Sequence, residues 1–510
     1  MGLVRSVATV GSMTLISRVL GFVRDVMIAA ILGAGPVADA FFVAFKLPNL
    51  LRRLFAEGAF NAGFVPMFAR TLEGEGRNRA AEFAEQAQAV LLALLVPIVV
   101  LAIPFMPWLI LVLAPGFDAD GERYPLAVEL ARITFVYILF ISLTALTGGV
   151  LNSLGKFAAA AAAPVILNLA MIAGLALSVL WLDLPAHALA WSVALAGVLQ
   201  WLWLRHQVGR EGFRMRIRRP RLTPEVRRLF LLILPGVFGA GVAQVGSLAD
   251  TFFASLLPAG AISFLYYADR LAQLPLGVIG VAVGTALLPL LARQLRAGEV
   301  DAALASQNRA IELALLLTLP AAFALIVLGE PIVHVLFERG AFGAHDTAET
   351  ARTLAAYALG LPAYVLVKVL APGFFAREDT VTPVKIALAA LIVNVVLMLI
   401  LIWPLAQVGI ALATALSSWL NALLLAWLLH RDGLFRPDAR LRRRTVRIGL
   451  ATLVMIAVLL GGLALLAPLA AALALALLVA LGAGAFFLAA QLLDAFRIGE
   501  VRTALSRRTG

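Results

Sequence analysis

At 510 residues, 62% of them hydrophobic and only 14% charged, with a mean hydropathy of +0.99, the chain is far more apolar than a soluble domain and reads as an integral membrane protein. Its 41 basic and 29 acidic residues leave a net charge of +12, yet the basic residues sit between apolar segments, where membrane topology places them, so nucleic acid is not the partner they indicate. There is no cysteine, which excludes disulfides, thiolate metal sites and cysteine nucleophiles.

The opening MGLVRSVATVGSMTLISRVLG has no compact apolar core followed by a small-residue cleavage site, and we read it as the first helix rather than a signal peptide. From there the apolar pattern predicts about fourteen helical spans. They fall near residues 6–32, 37–69, 83–113, 126–151, 158–181, 184–205, 226–257, 261–292, 302–336, 348–375, 382–403, 406–429, 446–467 and 470–493. Assigning Lys and Arg to alternate connections puts nearly all of them on one side, leaving Arg123 and Arg339 on the other. The basic side is expected to be cytoplasmic, with both termini there.

Two basic runs, Arg205 to Arg228 and His430 to Arg447, divide the chain. The expected organisation is an N-terminal lobe over 1–205, a basic cytoplasmic linker over 206–225, a C-terminal lobe over 226–430, and a C-terminal helix pair with a basic tail over 431–510. Each run serves first as a topology anchor and a contact for anionic lipid. An internal repeat supports the two lobes. RDVMIAAILGAGPVADAFF aligns without a gap on ADTFFASLLPAGAISFLYY, pairing Asp25 with Asp250. VPMFAR matches LPLLAR, and AVELAR matches TAETAR, so the three spacings are 225, 223 and 220 residues. Six spans per lobe give both lobes one orientation, related by an axis along the membrane normal, with an expected substrate cleft between them.

The stretch from Ser17 to Asn61 carries charges where a lipid-facing helix would have none. Arg18, Gly21 and Asp25 share a face of the first helix, with Arg24 about 100° away from Asp25. On the second, Asp39, Lys46, Arg53 and Glu57 form a stripe, with Arg52 beside it and Asn49 one turn below. Span eight adds Asp269, Arg270 and Gln273. Each has a structural reading, an ion pair or a snorkelling side chain, which weighs most for Lys46, Arg53 and Glu57. Mid-helix Arg18, Arg24 and Arg270 favour the functional one, since an arginine at depth usually marks a substrate path. The planar guanidinium fork holds phosphate oxygens bidentately and stays charged when buried, so converging arginines suit a diphosphate. Arg352 and Lys368 on span ten are weaker candidates. The five histidines lack metal-ligand spacing, and there is no Walker lysine, GxSxG or HExxH motif, so this chain gives no support to ATP hydrolysis, serine chemistry or zinc chemistry.

The Ser17–Asn61 stretch, SFLYYADRLAQLPLGVIGVAVGTALLPLLAR and LFERGAFGAHDTAETARTLAAYALGLPAYVLVKVLAPGFFAREDTVTPVKIA closely resemble the MurJ (MviN) lipid II flippases of the multidrug/oligosaccharidyl-lipid/polysaccharide exporter superfamily. The resemblance covers essentially the whole chain. It implies an all-α polytopic protein, two six-helix lobes around a cationic cavity plus two C-terminal helices, and a transporter rather than an enzyme. It also implies that Arg18, Arg24, Arg52 and Arg270 receive the diphosphate and sugar headgroup of lipid II, that Asp25 and Asp39 belong to the same site, and that the C-terminal pair forms a groove for the undecaprenyl tail. Some relatives have a cation site around the position of Asp250; here only Asp250 matches, with Asn394 as a candidate partner. No cofactor is implied, although the membrane potential or an ion gradient is linked to family members. Membrane lipids and proteins of cell-wall synthesis or division are the expected partners, and the bacterial inner membrane the expected location. The alternatives within the superfamily are a flippase for another polyprenyl-linked glycan and a drug or cation antiporter, the latter calling for acidic walls.

Overall fold

In a computed structural model of the chain, residues 2–56, 59–213 and 215–496 are described. The order is α1 (Gly2–Leu32), α2 (Pro36–Ala56), α3 (Ala59–Glu75), α4 (Arg77–Leu113), α5 (Arg123–Phe135), α6 (Tyr137–Ser153), α7 (Phe157–Leu177) and α8 (Pro185–Arg210) in the first part of the chain. There follow α9 (Pro224–Ser255), α10 (Ala261–Arg296), α11 (Val300–Val327), α12 (Gly329–Phe337), α13 (Ala344–Phe375), α14 (Val381–Arg431), α15 (Ala439–Leu466) and α16 (Ala471–Leu492). Among the described residues there is no strand, only an isolated bridge between Arg339 and Phe342. Lipid offers no partner for backbone N–H and C=O groups, so a chain this apolar satisfies them within helices.

Each expected span corresponds to one helix, a pair of helices or half of α14. The described parts of span two are α2 and α3, on either side of residues 57 and 58, while span four is divided into α5 and α6, and span nine into α11 and α12. α14 is kinked at Ala406, whose backbone sits at φ 48° and ψ −132°, and the helices on either side of the kink coincide in position with the expected spans eleven and twelve. Nine helices among the described residues are long and apolar enough to cross a membrane. Helix starts are set by local chemistry: the Thr223 hydroxyl accepts from Val226 N–H before Pro224 opens α9, and Asp438 accepts from Leu441 N–H at the head of α15. Asp438 starts α15 seven residues ahead of the expected boundary at 446, drawing Arg440, Arg442, Arg443 and Arg444 out of the expected connection between spans twelve and thirteen and into the helix.

Contacts divide the chain into two compact units, residues 1–263 with 339–342, and residues 264–338 with 343–510. In the first, α1 lies along α7, α7 on α8, α2 against α5 and α6, and α3 against α4, α6 and α9. Phe64 stacks between Phe68 and Phe83, with ring centroids 5.6 Å apart in each pair. The short segment 339–342 joins this unit by backbone contact: Ala341 N–H donates to Ala30 O at the end of α1, 2.8 Å away. Gly33 (φ 67°) and Gly340 (φ 60°) permit this approach. A Cβ on Gly33 would lie 2.6 Å from Ala341 O, and one on Gly340 would lie 2.1 Å from Ala30 O. In the second unit α11 packs between α13 and α15, α13 against α14, and α15 against α16. Its core joins Leu287 and Leu291 of α10 to Ile311, Val365, Phe374 and Leu429. Such contacts hold by close packing, since lipid tails are as apolar as the side chains they would replace.

Candidate functional site

Burying a guanidinium in an apolar helix is costly unless its donors are used. Arg24 is 8% exposed and Asp25 3%. Arg24 Nε and Nη2 both donate to Asp25 Oδ1, at 3.0 and 2.7 Å. Nη1 donates to Asn168 Oδ1 on α7 at 2.9 Å. Asn168 is itself 5% exposed, and its Nδ2 donates to Ser17 O at 2.9 Å, so one amide ties two levels of α1 to α7. The fork of Arg24 is therefore fixed in direction by one carboxylate of its own helix and one neutral amide of a neighbour. A planar cation held this way can receive an anionic oxygen in exchange for a bond to Asp25.

The sequence singled out Arg24 and Asp25 but missed Asn168. The signal was there: between Phe157 and Leu177 every other side chain is apolar. Arg18 on α1 is exposed. On α2, Arg52 donates to Asn49 Oδ1 one turn earlier, from Nε at 3.2 Å and Nη2 at 3.0 Å, and Lys46 is half-buried. The Arg53 side chain and Glu57 lie outside what is described.

Asp39, fully buried, is placed differently from the arginines. It accepts from Gly260 N–H at 2.7 Å and from Ser263 N–H at 2.9 Å and hydroxyl at 2.6 Å. These are the free donors at the start of α10, so Asp39 acts as a remote cap of that helix.

In the second unit the Arg270 guanidinium lies over the Tyr266 ring, 4.8 Å from its centroid, and Nη2 is 3.3 Å from the Tyr266 hydroxyl. Its neighbour Asp269 accepts from Gln273. Arg352 is exposed and paired with Glu349 at 2.8 Å, and Lys368 is exposed. Asp250 is half-buried on α9 in the first unit, and Asn394 is buried on α14 in the second. Among the described residues no group of three or more His, Cys, Asp or Glu is placed to hold a metal ion.

A second buried charge cluster lies elsewhere in that unit. Glu312 on α11, 7% exposed, accepts from Arg309 and from Arg440 and Arg444 of α15, while Arg309 also pairs with Asp438. Arg444 is 7% exposed. The cluster fastens the first turns of α15 to α11, and nothing in the reading of the basic run His430 to Arg447 anticipated it.

A family model described as lipid II flippase MurJ matches residues 28–484. The chain is 45% identical to the probable lipid II flippase MurJ of Rhizobium tropici, over 100% of this chain and 97% of that one. Among solved structures, a lipid II flippase MurJ in an inward closed conformation superposes with a TM-score of 0.80 at 26% identity, covering 95% of this chain and 98% of the other. A multidrug resistance MATE family transporter of the MOP superfamily, in an inward-facing conformation, reaches a TM-score of 0.68 over 84% of this chain and 98% of its own, and at 15% identity shares the fold.

Proposed function

This chain belongs to the MurJ family of lipid II flippases, and on that premise we propose that Arg24, oriented by Asp25 and Asn168, is the principal receptor for the diphosphate of the lipid it carries. The protein is a multi-pass membrane transporter and not an enzyme: lipid II changes leaflet, and no bond is made or broken. The observation that carries the site assignment is the burial of Arg24 in α1 with its donors spent on Asp25 and Asn168.

The diphosphate competes with Asp25 for the same face of the guanidinium. When it is bound, Arg24 keeps its charge and its orientation, because Asn168 still holds Nη1. When it leaves, Asp25 takes its place, so the buried cation is never left without a counterion at any stage of the cycle. Arg18, Arg52 and Arg270 add anion-binding capacity; Asn49 sets the direction of Arg52, and Tyr266 that of Arg270. Lys46, Arg53, Glu57 and Asp269 support them, and Asp39 maintains the helix start at 260–263.

Transport runs by alternating access, from the cytoplasmic to the outer leaflet of the bacterial inner membrane, with both termini in the cytoplasm. An anionic headgroup travelling that way moves down an inside-negative potential, which favours it by about 2.3 kcal/mol per charge per 100 mV. The potential can therefore drive the cycle without a nucleotide. Cell-wall synthesis and division proteins are the partners such a function calls for.

The test is genetic and chemical together. Arg24→Ala and Arg270→Ala are each expected to abolish flipping while the protein still accumulates in the membrane. Normal cell-wall synthesis in a strain carrying only such a variant overturns the site. Arg24→Lys should restore part of the activity, since the charge returns without the fork. Depletion of the protein should leave lipid II on the cytoplasmic leaflet.

A further inference from the structure

The segment that joins α8 to α9 is basic enough to be taken for a loose tether, but over residues 215–222 its path is fixed. Phe213 and Met215 are buried, 4% and 7% exposed, and Phe213 is flanked by the Phe68 ring and the Arg77 guanidinium, the latter 4.7 Å from its centroid. Glu85, on the third turn of α4 and 3% exposed, accepts from Arg216 N–H at 2.8 Å and from Arg218 Nε. The next residue, Gln86, accepts from Arg221 N–H at 3.2 Å. A buried carboxylate and its neighbour thus hold the strap by its backbone. The side chains of Arg216, Arg219 and Arg221 are left exposed and make no hydrogen bond or ion pair within the described residues.

Two further observations say what these side chains meet. Ile217 and Leu222, interleaved with the arginines, are 66% and 63% exposed, a cost in water but not at the edge of a bilayer. The strap also lies at the ends of α4 and α8, both long and apolar enough to cross a membrane. The outward stripe on the last turns of α8, with Leu202, Arg205 and His206, has the same mixed character.

We propose that the strap over residues 215–222 is a preorganised binding site for anionic phospholipid. Arg216, Arg219 and Arg221 take the headgroup phosphate oxygens, Ile217 and Leu222 enter the acyl boundary, and Glu85 is the positioning residue. A flexible polybasic loop attracts a charged leaflet by about 1 kcal/mol per residue wherever it lies. A strap with a fixed path presents its charges at fixed spacing and selects among lipids with little ordering cost.

The experiment uses the full chain in nanodiscs of phosphatidylcholine mixed with phosphatidylglycerol of matched acyl chains, with the retained lipids read by native mass spectrometry. The wild type should retain phosphatidylglycerol preferentially. The triple variant Arg216→Gln, Arg219→Gln, Arg221→Gln replaces only exposed, uncontacted side chains, so its melting temperature in pure phosphatidylcholine should match the wild type, while its selectivity falls on the order of tenfold. Glu85→Gln keeps every arginine and should lose most of the selectivity through release of the strap. Undiminished selectivity in the triple variant overturns the site, as does the finding that the three arginines instead bind a purified acidic protein and leave lipid retention unchanged. Full selectivity in a folded Glu85→Gln protein overturns the role of the fixed path.

Discussion

Two arginines of this chain are buried to nearly the same degree, Arg24 on α1 and Arg444 on α15, and their surroundings differ in a way that separates transport from construction. Arg24 meets the Asp25 carboxylate, adjacent to it on its own helix, and on α7 the neutral Asn168 amide and Met171 Sδ. Breaking its bond to Asp25 would separate no two helices. Arg444 meets Glu312 on another helix, a carboxylate shared with Arg309 and Arg440. Breaking that bond would loosen α15 from α11. A buried charge whose counterion lies on its own element is free to exchange partners; one whose counterion lies across an interface is committed to holding that interface.

The sharpest way to break this distinction is to remove each arginine. Arg24→Ala should abolish flipping with near-normal accumulation, whereas Arg444→Ala should reduce accumulation while the surviving protein still flips. Measuring membrane abundance and lipid II translocation in the same strains checks both, and the comparison fails if the two variants show the same phenotype. Next in size is Glu312→Ala, which leaves three arginines without their common partner. Removing one side of a buried pair costs about 3–5 kcal/mol, read as a fall in melting temperature of the purified protein, and Arg24 function should be untouched. Asn168→Ala should be milder: it leaves the Arg24–Asp25 pair intact but frees one guanidinium donor and the Ser17 carbonyl, at about 1–3 kcal/mol, and should slow flipping without abolishing it.

The smallest effect concerns a carboxylate outside both clusters. Glu338, at the end of α12, accepts from His334 and from the Thr347 hydroxyl, and these bonds hold its pKa below the ordinary 4.5. A lowered carboxylate stabilises the fold above its unfolded pKa and loses that contribution as pH falls through the folded value. The difference in melting temperature between wild type and Glu338→Gln should therefore be present at neutral pH and close in strong acid.

Much of this was legible in the sequence because hydropathy and charge contrast are strong in a membrane protein. The helix positions followed from the apolar runs, and Arg24 and Asp25 stood out as charges within one of them. What was not legible depended on pairs far apart in the chain. Asp39 fell within a polar stripe and invited a binding role, but its partners Gly260 and Ser263 lie 221 and 224 residues on. Nothing local announces a cap supplied from so far away. The Glu312 cluster was hidden for a different reason: a run of arginines beside an apolar span has the same appearance whether it anchors topology or folds into the next helix. Only the position of the cap, Asp438, decides between them.

The meeting of Gly33 with Ala341 and of Gly340 with Ala30 carries a consequence for genetics. In each case the atom that forbids a side chain is a main-chain oxygen, which every amino acid supplies equally. A defect caused by Gly33→Ala or Gly340→Ala therefore has no local suppressor: no replacement at the facing residue can remove the clash, and a selection for revertants should return glycine itself or changes that shift the whole segment away.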